Sequence, residues 1–290
     1  MISIKEISKI QDKKYTTHSI AFLPSLAVIS LSQDSKTLME ATVQKGDYVQ
    51  EGQIIARNCI KNITDKKSCT YPAYIHSPVP GKVLDIYNVI NPNGKKLPAV
   101  LIKMEGNFSF SGKKREILNW TYSQSNTRTK TLAQMGVINT FEKPISLAQQ
   151  INSEITKKEK DSSYKISPLV VRLFDNDPDI VIDKYITENF AKEVFEGTAI
   201  LAETLNTSDV VFIAEKDTWN LTENETKKIF KNIQVHVLET DTNIYPRGQY
   251  KYVKQTTLQY LSSKGINCYK EIFPSDSTTC LDVYNAVAKS

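Results

Sequence analysis

The alternation of apolar and polar positions divides the chain into two textures. From about residue 19 to 106, short apolar runs are broken every few residues by Gly or Pro, the pattern of a compact β unit. From residue 166 to 290, apolar runs alternate with helical periods, which predicts a layered α/β domain. There Pro168 to Phe174 reads as a buried strand through Leu-Val-Val-Arg-Leu-Phe, Asp209 to Ile213 as a second and Gln234 to Leu238 as a third. One helix is expected from about Asp183, with Ile186, Phe190, Val194, Leu201 and Leu205 on a single face. Further helices are expected over Tyr250 to Leu261 and Thr278 to Ala288, and Thr222 with Glu225 has the spacing of a capping box. Residues 1–18 read as a polar leader. Residues 107–165 read as a linker with a short helix around Leu147 to Ile155 and a charged stretch from Lys157 to Ser163.

Within the β texture, Gly46-Asp47-x-Val49-x-x-Gly52 puts glycines where tight turns need positive φ and an apolar residue between them. In Ser77-Pro78-x-x-Gly81-x-Val83 a rigid proline leads into a second such corner, and a strand follows. Paired corners of this kind fold a small barrel-sandwich domain of the biotinyl/lipoyl type back on itself. A carrier reading would put a modified lysine in Thr64-Asp65-Lys66-Lys67, but that insert is several residues too long on both sides.

Composition narrows the chemistry. At 290 residues the chain holds about two domains. Its net charge of +5 is spread without a basic, aromatic-bearing stripe, which argues against nucleic acid. Cys59, Cys69, Cys268 and Cys280 form no Cys-x-x-Cys pair, so neither a zinc site nor an iron–sulfur cluster is expected. Reduced thiols suit this spacing, with a Cys59–Cys69 bridge across the insert as the alternative. His18, His76 and His236 are isolated, and no nucleophile elbow, Walker loop or zinc-protease helix occurs. The most apolar run, Ile20 to Leu31, is interrupted by Pro24 and falls short of the ~20 residues a bilayer needs, so direct membrane insertion is not expected.

Leu31-Ser32-Gln33, His76-Ser77-Pro78 and Asn91-Pro92-Asn93-Gly94-Lys95-Lys96, taken with the two corners, resemble the C subunit of the Rnf electron-transport complex. That family is related to the A subunit of sodium-translocating NADH:quinone reductase and to the flavin subunit of complex I. The resemblance implies a barrel-sandwich hybrid domain over 19–106 and a Rossmann-like α/β domain over 166–290. In the family, FMN and NADH are held by a glycine-rich loop, an acidic turn and two segments nearer the C-terminus. The loop falls at Gly136 to Pro144, where only Gly136 and a Phe/Pro remnant match and Asn139, Thr140 and Glu142 would crowd or repel a phosphate. The acidic turn falls at Leu173 to Pro178 and keeps carboxylates at Asp175 and Asp177, which could orient ribose hydroxyls. The same residues also suit a plain turn after a strand. Tyr245-Pro246-Arg247-Gly248 keeps Gly248, while Gln249 and Tyr250 replace a glycine and a glutamate. Asp276-Ser277-Thr278-Thr279 stands where a flavin-contacting asparagine turn would be.

The resemblance therefore implies Gly136, Asp175, Asp177 and Gly248 as the positions left to hold FMN or NADH, in an eroded site with no catalytic side chain and no metal. It implies a peripheral subunit of a membrane electron-transport complex, facing the cytoplasm at the inner membrane and held there by membrane subunits. The family's iron–sulfur module has no counterpart in this sequence. The alternatives are a non-catalytic scaffold or assembly protein on the same fold, or an NADH-binding sensor without flavin.

Overall fold

The computed structural model describes residues 23–32, 39–58, 72–90, 94–108, 116–177, 179–216, 223–240 and 248–289. The polar leader, the Cys59–Cys69 insert with its Lys66-Lys67 turn, the Asn91-Pro92-Asn93 segment, Thr222, Trp219 and Tyr245-Pro246-Arg247 lie outside them.

The N-terminal unit is built from β1 (Leu26–Ser30), β2 (Met39–Ala41), β3 (Tyr48–Val49), β4 (Ile54–Asn58), β5 (Tyr74–His76), β6 (Gly81–Ile90) and β7 (Lys96–Met104). They form an antiparallel sheet in the order β1-β7-β6-β3 and a second in the order β2-β4-β5. The two corners carry the chain from one sheet to the other and are bonded to each other. Gly46 N–H donates to the Val83 carbonyl and Val83 N–H to that of Asp47, while Gly52 N–H donates to Ser77 and Ser77 N–H to Gln53. Gly46 and Gly52 have φ of 97° and 78°, values that disfavour any side chain, and Val49 is buried between them. Gly81 differs from the expected second turn glycine. It lies in a strand, and its lack of a side chain serves close approach instead, because a Cβ would run into the Lys103 carbonyl. The core contains Leu31, Ile55, Val83, Val100 and Ile102.

The rest of the described chain is an α/β unit. Its elements are α1 (Ser125–Gln134), β8 (Ile138–Asn139), β9 (Ile145–Ser146), α2 (Leu147–Lys160), β10 (Leu169–Arg172), α3 (Ile182–Asn189), α4 (Ala191–Leu205), β11 (Asp209–Glu215), α5 (Glu223–Phe230), β12 (Gln234–Thr240), α6 (Tyr250–Ser263), β13 (Phe273–Asp276) and α7 (Ser277–Val287). The main sheet is parallel throughout, ordered β12-β11-β10-β13. Both faces are covered, which is why its central strands β10 and β11 read as largely apolar runs. Leu169 and Val171 join one core with Leu132 of α1, Ile151 of α2, Val194 of α4 and Val283 of α7. Val170 points into the other, with Val253 and Leu261 of α6.

Three elements depart from the sequence expectations. The helix expected from Asp183 to Leu205 is two helices that meet at Phe190, whose backbone (φ −130°, ψ 32°) ends α3 and starts α4. That break turns Phe190 out of the shared face, leaving it 39% exposed. The polar connecting stretch contains α1, whose burial of Leu132 and Ala133, with Arg128 bonded to Thr204 and Ser123, stabilises a weakly amphipathic sequence. The charged stretch after Lys157 continues α2 to Lys160. Among the described residues, no helix is long and apolar enough to cross a membrane.

Candidate functional site

Chain order reverses at β10, which has β11 on one side and β13 on the other. In a parallel sheet such a reversal opens a crevice beyond the carboxyl ends of the strands, the usual place for a ligand. Here that crevice receives Arg172 and the turn Leu173 to Asp177 from the end of β10, Asp276 from the end of β13, the N-termini of α3 and α7, and the β8–β9 loop.

The two helix N-termini are the first chemical feature, because their free amides and dipoles attract negative charge. At α3, Asp183 N–H and Lys184 N–H donate to the Asp175 carboxylate at 3.1 and 3.2 Å. At α7, Thr278 N–H donates to Asp183 at 3.0 Å and Thr279 N–H to Asp276 at 2.8 Å. Both anion seats are thus filled by side chains of the protein itself. Burial pushes the Asp175 carboxyl up, against the pull of the α3 amides. Burial, and next the Asp276 charge, push Asp183 up to about 7, against the attraction of Arg172.

Arg172 organises the middle. One Nη donates to the Gly248 carbonyl at 2.8 Å and the other lies 3.4 Å from Asp183, while Nε has no partner. Its guanidinium stacks on the Phe141 ring, 4.5 Å from the centroid. Phe141 comes from the β8–β9 loop, whose other side chains close over the same end of the sheet. Asn139 donates to Gln150 at 2.9 Å and to the Pro274 carbonyl at 2.7 Å. The Thr140 hydroxyl donates to Asp276, and Glu142 accepts from Tyr250 N–H at 3.3 Å. Beside this loop, a groove of about 450 Å³ runs past β13, lined by Phe141, Lys143, Glu154, Lys157, Tyr250 and Phe273.

The sequence-nominated residues separate into two places. Asp175 and Gly248 meet in the crevice, where a Cβ on Gly248 would come within 2.8 Å of Asn176. Asp177 is exposed beside it and accepts from Asp179 N–H at 2.9 Å, a local turn bond. Gly136 is elsewhere: with φ 67° it follows the end of α1, and a Cβ there would meet His76 and Tyr74 of the N-terminal unit at 3.1 Å. Sequence reasoning missed Arg172, Asp183 and Phe141. A charged residue inside the apolar run Leu169 to Phe174 was the available signal for the first. No group of three or more His, Cys, Asp or Glu among the described residues is placed to hold a metal ion.

Comparison with known proteins bears on this arrangement. The RnfC barrel sandwich hybrid domain family matches residues 5–107. The C subunit of the ion-translocating oxidoreductase complex of Buchnera aphidicola subsp. Baizongia pistaciae is 23% identical over 234 residues, covering 80% of this chain and 42% of that protein. The C subunit of the proton-translocating ferredoxin:NAD(+) oxidoreductase complex of Clostridium ljungdahlii is 24% identical over 286 residues, covering 96% of this chain and 58% of that protein. Over most of its length the chain is similar to Rnf C subunits. The match to the barrel sandwich hybrid domain covers its N-terminal unit, and the chain spans about half the length of the relatives it matches. Among solved structures, an NAD+-reducing [NiFe]-hydrogenase in the H2-reduced state aligns at a TM-score of 0.41 and 10% identity, over 57% of this chain and 31% of that one, too remote to bear weight.

Proposed function

We propose that this RnfC-like chain acts as a peripheral, cytoplasm-facing subunit of an Rnf/Nqr-type membrane electron-transport complex, docked on membrane subunits and holding neither FMN nor NADH. Its α/β unit is read as Rossmann-like, on the plan of the complex I FMN/NADH subunit, with the cofactor site eroded. The observation that carries the reading is the occupancy of the α3 and α7 N-termini by Asp175, Asp183 and Asp276. A flavin or dinucleotide phosphate needs such amides free, and here they already donate to side-chain carboxyl oxygens. The residues present therefore do not suit either group, and Gly136, packed on His76, donates its amide to the Ala133 carbonyl. This favours a docking or scaffold role over the alternative of an NADH sensor, whose dinucleotide would meet the same carboxylates.

The test is an absorption spectrum of the purified protein after incubation with excess FMN and desalting, repeated with NADH. The expected result is a colourless protein and no NADH-induced change. A retained band near ~450 nm that bleaches with NADH would overturn the reading, because the flavin itself would then be doing redox chemistry. NADH binding without flavin retention, measured by titration calorimetry, would leave the sensor alternative standing instead.

A further inference from the structure

We propose that the groove beside β13 is a binding site for a small organic acid, whose apolar body lies on the groove's hydrophobic wall and whose carboxylate is held by Lys143. The groove flanks the edge strand of the sheet, whereas the crevice lies beyond the carboxyl ends of the strands. Its volume of about 450 Å³ is that of a small-molecule site. Phe141 and Ile145 on one side and Ile272, Phe273 and Pro274 on the edge strand supply apolar surface. Gln150, Ser153, Glu154 and Lys157 share one face of α2 by helical spacing and supply the polar wall.

The balance of donors and acceptors selects the charge of the occupant. Glu154 is fully engaged: one oxygen takes the Tyr164 hydroxyl at 2.7 Å and Ser167 N–H at 2.9 Å, and the other takes Lys157 at 2.9 Å. Glu142 takes Tyr250 N–H at the start of α6, and the Tyr250 hydroxyl is given to Glu271. The donors are less well matched. Among the described residues, Lys143 makes neither an ion pair nor a hydrogen bond, and the Ser153 hydroxyl has no partner. Gln150 uses only its Oε1, which accepts from Asn139, so its amide N–H groups are open. A groove whose carboxylates are answered and whose donors are not calls for an anion.

The edge strand decides against a peptide laid along it. Pro274 has no N–H, and its carbonyl is already taken by Asn139 at 2.7 Å, so β13 offers no ladder for an added strand. A compact acid needs none. Its body can rest on the Phe141 and Phe273 rings, and Lys143, which is exposed, gives up no other partner to meet the carboxylate.

The experiment uses the whole chain and two probes of one shape, 2-naphthoate and its neutral amide, 2-naphthamide. Binding is measured by titration calorimetry and located by backbone amide NMR shifts. The expected result is naphthoate binding that saturates by about 10 mM, with shifts centred on Ser153 and Phe273. The amide should bind about tenfold more weakly or worse, the factor a charged hydrogen bond supplies. Lys143→Gln should bring naphthoate down to the affinity of the amide and leave the amide unchanged. Because Lys143 supports no other contact, the variant is expected to keep the parent's amide spectrum, which the same NMR data check. The proposal is overturned by an absence of saturation at about 10 mM, by equal affinity for the two probes or by shifts centred elsewhere. It is equally overturned by a naphthoate affinity indifferent to Lys143→Gln.

Discussion

Gly197 of α4 faces the backbone of α7 so closely that a methyl group would collide with the Cys280 carbonyl. Its neighbour Tyr284 Cβ would lie 3.2 Å away, so neither helix has room to give. Gly197→Ala is expected to cost about 1–3 kcal/mol by overpacking, read as a lowered midpoint in urea with an unchanged slope. At this scale the sequence is only partly legible. Asp175 stands out as an acidic residue after a strand, but its partners are amides eight and nine residues later, set by the path of the turn. Arg172 was hidden by the apolar run that made its strand easy to see. Asp183 looked like a helix start, which it is; that it also caps a helix 95 residues away is a tertiary fact.

The elements follow a similar logic. β10 and β11 were readable because a parallel strand buried on both faces needs a nearly continuous apolar run, and β12, half-buried at the edge, by its alternation of Val235, Val237 and polar residues. β13 was not, since Phe273-Pro274-Ser275-Asp276 has the composition of a turn. It survives as an edge strand because Pro274 lacks only an outward donor, and its carbonyl is taken by Asn139. At the opposite end of the sheet, Asp209 ties three elements together. It accepts from Ser208 at 2.8 Å and from Tyr269 before β13, and it pairs with His236 of β12 at 3.1 Å. Burial opposes its charge, but the His236, Tyr269 and Ser208 bonds prevail and hold its carboxyl down at about 2. That contribution is present above the ordinary carboxyl pKa and is lost as pH falls towards about 2. Asp209→Ala, which strands His236 and Tyr269, is expected to cost about 3 kcal/mol at pH ~7. The gap between variant and parent should narrow on acidification, as followed by urea unfolding at several pH values.

For the molecule as a whole, the two units meet where the end of α1 meets β5. The corner motif containing His76 was legible as a corner, and Gly136 as a glycine with a purpose, but nothing in either segment links them across the intervening chain. In the structure the His76 ring bonds to the Gln134 carbonyl, and Gly136 lies against the ring. Burial lowers the His76 pKa from its ordinary value, only partly offset by that bond. The folded protein thus keeps His76 neutral, and the contact loses stability as pH falls below about 6.5. A side chain at Gly136 would be strained by its positive φ and would also press on the imidazole 3.1 Å away. Gly136→Val is therefore expected to pry this contact open without touching either core. The measurement is an NMR titration of His76 in parent and variant. In the parent its midpoint should lie below that of a free histidine, and in the variant it should rise back towards about 6.5 as water reaches the ring. A midpoint unchanged by the substitution would mean that the ring is sheltered by its own unit alone, and that the Gly136 contact does not hold the barrel-sandwich domain to the α/β unit.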